Sequence, residues 1–185
     1  MEDSKIIDLY WQRSEAAIGE TAKKYARYCH SISLNILHDE EDAEECVNDT
    51  YLNAWNAMPP RRPNCLATFL GKITRNLSLD RFKRNCAEKR GGGQTELALA
   101  ELNEAVPTGS VEEAIGEKEL TRLLDKFLAG LPREKRVMFV RRYWYLVPIR
   151  TIAEQMGTSE KQVNSALFRL RNSLRTYLEK EGVAL

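Results

Sequence analysis

The sequence predicts an all-α protein built from two small helical domains that a flexible linker joins. Apolar residues recur at the helical spacing of three and four positions along most of the 185 residues. No β-branched run keeps up the alternation at period two that a strand requires. Gly91-Gly92-Gly93 then opens a stretch rich in Gly, Pro, Thr and Ser. We therefore expect domains at residues 1–90 and 111–185, with a linker at 91–110.

Three helices are expected in the first domain. Apolar positions favour a helix from Ser14 to Leu37. The acidic run at 39–42 marks a turn and the start of a second helix, because negative charge is favourable near a helix N-terminus. That helix ends before Pro59-Pro60, since the residue preceding a proline avoids helical backbone. After a loop, a third helix is expected over about Leu66–Lys89.

The linker is expected to be helical only in part, around Leu97–Leu102. Beyond it, the apolar pattern predicts helices over Val111–Leu128 and Arg133–Tyr145. Leu131-Pro132 separates them, because proline breaks a continuous helix.

Residues 149–177 have the sequence outline of a helix-turn-helix, a unit whose second helix can lie in the major groove of DNA. Apolar residues of the second helix fall on one narrow stripe at 100° per residue. The stripe consists of Val163, Leu167, Leu170 and Leu174, with Tyr177 at its edge, and should pack on Ile152, Ala153 and Met156.

The turn and the helix start support the same interpretation. Gly157 suits a turn that needs a positive φ, and Ser159 followed by Gln162 fits a capping box. The alternative is an ordinary helical hairpin with a solvated charged face, since such hairpins are common.

The net charge of +1 conceals four blocks of alternating sign. Residues 1–60 carry a net charge of −7 and residues 61–90 carry +7. Residues 91–131 carry −5 and residues 132–185 carry +6. Each basic block is a candidate footprint for phosphate groups. The acidic blocks should face a different partner, such as a basic protein surface.

The composition argues against membrane, metal and cofactor sites. The apolar runs are only a few residues long. The N-terminus lacks the pattern of a signal peptide, so we expect a cytoplasmic protein without membrane insertion. The four cysteines form no Cys-x-x-Cys pair that would suggest zinc. No nucleophile–base set or phosphate-cradling loop is visible, so we expect no cofactor, no catalytic residue and no enzyme activity.

Two blocks of the chain resemble bacterial RNA polymerase sigma factors. Residues 39–59 (DEEDAEECVNDTYLNAWNAMP) and 69–84 (FLGKITRNLSLDRFKR) are similar to conserved region 2, and residues 131–178 are similar to region 4. The compact size and the lack of other regions point to the extracytoplasmic-function (ECF) group of the sigma-70 family. Two motif blocks in the right order are a more specific signal than either block alone.

The resemblance implies a protein that binds core RNA polymerase and directs promoter-specific initiation. In this family the acidic helix of region 2 binds the clamp helices of the polymerase β′ subunit, and region 4 docks on the β-subunit flap. An anti-sigma factor is a usual partner in this group. The implied core-polymerase contacts are Asp42, Glu45, Asn48, Asp49, Leu52 and Trp55.

Region 2 also opens promoter DNA in the family, where a base of the −10 element is flipped into a pocket near the loop matching residues 60–68. Unstacking costs a few kcal/mol, and stacking and phosphate contacts offset it. Asp80 is assigned instead to an i, i+4 pair with Arg84. The implied −10 contacts are Arg61, Arg62, Lys72, Arg75, Asn76, Arg81, Lys83 and Arg84.

Region 4 reads the −35 element in the family, through base edges and phosphates. Arg141, Arg142 and Arg150 are expected to contact the DNA backbone. Ala166 departs from relatives that carry a basic residue nearby. Phe168, on the polar face, either touches a thymine methyl or packs against the preceding helix. The implied −35 contacts are Lys161, Gln162, Asn164, Ser165, Arg169 and Arg171.

Two other functions compete with this one. A stand-alone helix-turn-helix regulator would bind duplex DNA without polymerase, but the paired acidic and basic helices before residue 90 argue against it. A nuclease would need carboxylates clustered in a basic cleft to hold metal ions. The carboxylates of residues 39–49 are too regularly spaced along one helix for that role.

Overall fold

The computed structural model describes residues 1–88, 94–103, 105–106 and 117–183. These residues form helices, turns and loops, and no strand occurs among them. The prediction of an all-α fold is confirmed for this part of the chain. The helices are α1 (Asp3–Trp11), α2 (Ala16–Leu37), α3 (Glu40–Ala57), α4 (Leu66–Glu88), α5 (Gln94–Asn103), α6 (Glu117–Gly130), α7 (Arg133–Tyr143), α8 (Ile149–Met156) and α9 (Glu160–Lys180).

The chain divides into two compact units, residues 1–91 and 92–185. In the first unit, α2, α3 and α4 pack against one another and α1 packs on α2. The break between α2 and α3 lies where the sequence predicts it. His38 adopts left-handed backbone, and the Asp39 side chain then accepts a hydrogen bond from the backbone N–H of Asp42 at 2.9 Å.

Helix α1 is a finding that the sequence interpretation did not include. Ile6 and Tyr10 are fully buried in the first core, and Ile7 is nearly so. The Tyr10 hydroxyl forms a hydrogen bond with Thr21 Oγ1 at 2.9 Å. The apolar pair at positions 6 and 7 followed by Tyr10 has helical spacing. The helix has only nine residues, however, and such a short segment at the start of the sequence is easily taken for an irregular terminus.

A buried polar seam fixes how α2, α3 and α4 meet. Thr50 Oγ1 donates to Thr74 Oγ1 at 3.0 Å, and Ser78 Oγ donates to Ser33 Oγ at 2.8 Å. At Gly71 a Cβ atom would clash with the hydroxyl oxygen of Tyr28, so glycine permits the close approach of α4 to α2. These contacts set the rotation of α4 and therefore which of its side chains face outward.

The second unit contains the helix-turn-helix in the predicted form. Val163, Leu167, Leu170 and Leu174 are all buried, and Tyr177 packs at the edge of the same core. The capping box between Ser159 and Gln162 is present, and Gly157 ends α8 with a φ of 62°. Ile152, Ala153 and Met156 of α8 contact this core as predicted.

The remaining boundaries differ from the predictions by a few residues. Helix α7 ends at Tyr143 rather than Tyr145, and α6 continues to Gly130 rather than ending at Leu128. The predicted start at Val111 lies outside the described residues. Within the predicted linker, α5 is helical and packs on α7. Ala98 and Ala105 are buried there.

Candidate functional site

The outward face of α3 carries the residues predicted to contact core polymerase. Glu45 and Asn48 are exposed, and Leu52 is an apolar side chain with 56% exposure. Asp42 and Asp49 are half-buried. Asn48 also lines a groove of about 600 Å³ between α2 and α3, whose lining includes apolar residues such as Ala22 and Leu34. The structure thus places acidic and apolar groups side by side on one surface, which we call the α3 face.

Trp55 has a different environment from the rest of this predicted set. It packs against the first core and lies 6.2 Å from the Tyr10 ring, centroid to centroid. The Arg13 guanidinium lies 4.3 Å from the Trp55 ring centroid and donates to the carbonyls of Trp55 and Met58 at 2.8 and 3.1 Å. Trp55 therefore ties the end of α3 to the turn after α1.

Arg81 joins two of the predicted sets. Its guanidinium contacts Asp42 at 2.8 Å and Glu45 at 2.6 Å. Asn85 donates to the other oxygen of Asp42 at 2.8 Å. The hydrogen bond from Arg81 lowers the pKa of Glu45, and the same bond raises the pKa of Arg81. A predicted DNA contact on α4 is thus held by two predicted polymerase contacts on α3.

Four predicted −10 residues meet in one groove. The groove has a volume of about 480 Å³ and lies between the start of α4 and the loop before it. Positions 69, 72, 73 and 76 share one side of α4 because they are three or four residues apart. Cationic groups, an amide and an aromatic ring thus converge, which are the groups that hold single-stranded nucleic acid. The lining, which we call the α4 groove, is Arg61, Arg62, Pro63, Phe69, Lys72, Ile73 and Asn76.

The other predicted −10 residues lie outside the α4 groove lining. Arg75 is half-buried, and burial lowers its pKa. Lys83 and Arg84 are exposed further along α4. Arg84 Nε donates to the backbone carbonyl of Asp80 at 3.4 Å, so its contact is to the main chain and not to the predicted carboxylate partner.

Five of the six predicted −35 residues are exposed on the polar side of α9. The Gln162 side chain already takes part in the capping box, because its Oε1 accepts a hydrogen bond from the Ser159 backbone N–H at 3.1 Å. Phe168 is 56% exposed, so more than half of its surface is open to a partner. Ala166 is half-buried against the core. The exposed set, which we call the α9 face, is Lys161, Gln162, Asn164, Ser165 and Arg169.

Arg171, the sixth predicted residue, faces a different set of groups. Its Nη1 donates to the Tyr143 hydroxyl at 2.7 Å and lies 3.5 Å from Glu101 of α5. Glu101 also contacts Arg142, at 3.4 Å.

The contact predicted between Arg142 and the DNA backbone is wrong for this conformation, because the Arg142 side chain has no exposed surface. Of its predicted companions, Arg150 is exposed beside Glu154 at 3.0 Å, and Arg141 is half-buried and hydrogen-bonded to Gln155.

Sequence reasoning missed Glu101 and Arg13. Each contacts a residue about 40 positions away in the chain, Glu101 contacting Arg142 and Arg13 contacting Trp55. Local periodicity cannot predict contacts at that separation. In the part of the chain that the structure describes, no three His, Cys, Asp or Glu side chains are grouped as a metal site. None of the described helices is long and apolar enough to cross a membrane.

Comparison with known proteins gives the same two divisions. Residues 21–87 match the Sigma-70 region 2 family, and residues 121–174 match the Sigma-70 region 4 family. Together the two matches span about two thirds of the chain.

Two curated relatives are similar over most of the chain. One is the probable RNA polymerase sigma factor RfaY of Xanthomonas campestris pv. campestris, which is 25% identical over 80% of this chain. Another is the ECF RNA polymerase sigma factor SigE of Mycolicibacterium smegmatis, which is 26% identical over 88% of this chain. The matched regions span 37% and 62% of the lengths of those two proteins.

Proposed function

The chain belongs to the sigma-70 family of RNA polymerase sigma factors, and we propose that it binds core RNA polymerase and directs initiation at promoters with −10 and −35 elements. Sigma factors are transcription initiation factors and not enzymes. The observation that carries the proposal is the presence of two family-matched units, each with exposed basic groups on an element suited to DNA. Both curated relatives bear the name of RNA polymerase sigma factors.

The first unit supports a role in −10 recognition and melting. Lys72 and Asn76 are exposed on α4 beside Arg61 and Arg62, and the Phe69 ring lines the same groove. A flipped base needs an apolar or aromatic surface, and its flanking phosphates need cations. The α4 groove offers both within a few residues of the loop that the family uses.

The α3 face supports docking on core polymerase. Protein interfaces commonly combine an apolar centre with a polar rim, and here exposed Leu52 lies one to two turns from Glu45 and Asn48. We propose that this surface contacts the clamp helices of the β′ subunit. The α3 face stays acidic despite Arg81, because this single positive charge faces two negative charges, those of Asp42 and Glu45.

The second unit supports duplex recognition at the −35 element, and we propose from the region 4 match alone that it also docks on the β flap. The α9 face presents an amine, amides, a hydroxyl and a guanidinium at the N-terminal half of the second helix. These are the groups that read base edges and phosphates in the major groove. We propose that Arg169, Lys161, Asn164 and Ser165 make most of these contacts.

The test is in vitro transcription with core RNA polymerase and a library of promoter sequences. Added chain should select templates that share two short elements and should start transcripts at a fixed distance from them. Core polymerase without the chain serves as the blank. Absence of template selection would remove the proposal.

A stand-alone helix-turn-helix regulator is the competing function, and the region 2 match disfavours it. A pull-down with core polymerase separates the two, because a stand-alone regulator has no need to retain core. Under the proposal, the substitutions Leu52→Ala and Glu45→Lys should weaken the retention of core polymerase by the chain.

Two finer points extend the proposal. We propose that the chain works in the cytoplasm, where promoter DNA and polymerase meet. We also propose an anti-sigma partner, on the basis of the ECF group alone. Such a partner should compete with core polymerase for the chain, which a competition pull-down from the native host would detect.

A further inference from the structure

An exposed tryptophan lies next to the α4 groove, outside the contacts proposed so far for the first unit. Trp11 is the last residue of α1 and is 41% exposed. The Arg62 guanidinium lies 5.7 Å from the Trp11 ring centroid, and Arg62 lines the α4 groove. An aromatic face therefore stands beside the cations that border the groove.

The position of Trp11 is fixed from both sides. Before it, Tyr10 is fully buried and bonded to Thr21. After it, Arg13 adopts left-handed backbone with a φ of 55° and holds Trp55 and Met58 at the end of α3. The chain enters the 59–65 loop directly after Met58. The fold thus presents the indole beside Arg62 of this loop.

Trp11 lies outside the first core. The residues that anchor α1 in the first core are Ile6, Ile7 and Tyr10, and Trp11 is not a member of that core. A large aromatic side chain left exposed next to a basic groove is a recurring feature of single-strand binding surfaces. Stacking on such a ring is tolerant of sequence, because every base has a π-face.

We propose that Trp11 is a base-stacking platform that extends the α4 groove onto α1, where it receives a base of single-stranded DNA next to the base held at the groove. This proposal rests on the proposed function of the first unit and adds a subsite to it. Arg62 lies between the two positions and contacts the phosphate that links them.

Asp8 regulates this subsite by its charge. Its Oδ1 lies 2.5 Å from Arg62 Nη2, and both side chains are about half exposed. In the free protein this pair holds Arg62 over Trp11 and neutralises it. DNA must draw Arg62 away from Asp8 to gain a phosphate contact, so Asp8 weakens binding.

The experiment measures binding of a 12-nucleotide oligothymidylate to the full chain assembled with core RNA polymerase, with core alone as the blank. One 2-aminopurine is moved through the oligonucleotide, since stacking on an indole quenches its fluorescence. The variants are Trp11→Ala, Trp11→Phe and Asp8→Asn. Trp144→Ala is the matched control, because Trp144 is 40% exposed in the other unit. Lys72→Ala tests the α4 groove itself.

Trp11→Ala should weaken binding at least about five-fold, since stacking is worth about 1 kcal/mol or more per base and about 1.4 kcal/mol is ten-fold. It should also abolish quenching at one oligonucleotide position. Trp11→Phe should retain most of the affinity. Asp8→Asn should tighten binding, because Arg62 no longer has to leave a carboxylate before it contacts the phosphate.

The outcomes separate this inference from the function on which it rests. If Lys72→Ala weakens binding and Trp11→Ala binds and quenches like the wild type, the platform is overturned and the function stands. If the wild-type holoenzyme binds no more oligonucleotide than core alone, both fall. Thermal unfolding of Trp11→Ala within a few degrees of the wild type excludes a folding defect. If Trp11→Ala is unstable, the quenching of 2-aminopurine decides: weaker quenching at one oligonucleotide position in Trp11→Phe supports the platform, and identical quenching at every position in Trp11→Phe and the wild type overturns it.

Discussion

At the scale of single residues, helix periodicity buries apolar side chains, and ionic partners accompany the burial of charged ones. The four residues of the α9 stripe are buried as predicted, because a helix repeats its faces every 3.6 residues and needs no distant information. Arg142 is the opposite case. A basic residue normally indicates surface, but Arg142 is buried, and its guanidinium lies 3.4 Å from the distant carboxylate of Glu101. Polar burial of this kind depends on tertiary partners that local sequence does not identify.

Leu167 and Phe168 are neighbours in the chain with opposite expected roles. Leu167 is 1% exposed, so Leu167→Ala should lower the free energy of unfolding by about 2–5 kcal/mol. Phe168 is 56% exposed, so Phe168→Ala should change it by less than about 0.5 kcal/mol. Urea unfolding measures both.

The same Phe168→Ala variant should bind −35 duplex DNA more weakly, because the exposed ring can contact a thymine methyl. Fluorescence anisotropy with labelled duplex tests this. Unchanged affinity together with unchanged stability would leave Phe168 without a role in recognition.

Tyr51 should make the first unit sensitive to alkaline pH. Its side chain is 8% exposed, and burial raises its pKa from 10.0 to about 12. The folded state therefore favours the neutral phenol. This stabilisation is complete below pH 10 and is lost as the pH rises from 10 to 12, on the order of 2 kcal/mol in all.

Tyr51→Phe removes the ionising group, so the variant should lose less stability than the wild type between pH 8 and 11 in urea unfolding. The Tyr51 hydroxyl has no hydrogen-bond partner within the described residues, so the two proteins should differ little at pH 8. Tyr143, whose pKa burial also raises to about 12, provides the comparison in the second unit. Equal losses for wild type and variant would rule out Tyr51 as the source.

At the scale of elements, the helix boundaries with local chemical signals were the most predictable. Gly157 and Ser159 fix the turn between α8 and α9, and Asp39 caps α3. Helix α1 lacks a side-chain cap, and the sequence did not predict it. The role of α5 was not predictable either, because its apolar pattern is weak and its Glu101 side chain accepts hydrogen bonds from α7 and α9.

Docking of α5 should depend on Glu101, since this carboxylate faces Arg142, Tyr143 and Arg171 together. Glu101→Ala leaves the buried Arg142 without its anion, and breaking a buried pair costs about 3 kcal/mol or more. Hydrogen exchange by mass spectrometry should show faster exchange in 94–103 and in α7. Glu96→Ala, on the same helix, is the control.

If Glu101→Ala exchanges like the control, α5 is held by its apolar contacts and the carboxylate is dispensable. Such a result would mean that Glu101 is not what permits the burial of Arg142. The Arg171–Tyr143 contact, at 2.7 Å, would then be the principal polar link between α9 and α7 in this network.

At the scale of the whole molecule, the charge blocks predict the division of labour. The acidic first block contributes the α3 face, and the basic second block contributes the α4 groove. The basic fourth block contributes the α9 face. The family matches fall in two separate regions, residues 21–87 and 121–174, and the assignment of a partner to each surface stays a prediction. Only the structure identifies which cations of each block are held by intramolecular anions, as Arg81 and Arg171 are.

The central claim is that the first unit opens promoter DNA and the second unit anchors it. The most direct test is permanganate reactivity of −10 thymines in complexes of core polymerase with the wild-type chain, Lys72→Glu or Arg169→Glu, on a cognate promoter and on the same promoter with a pre-opened bubble. Lys72→Glu should retain core but lose opening of the duplex, whereas Arg169→Glu should lose promoter occupancy and regain function on the bubble. Equal reactivity of all three proteins on the duplex would contradict the account.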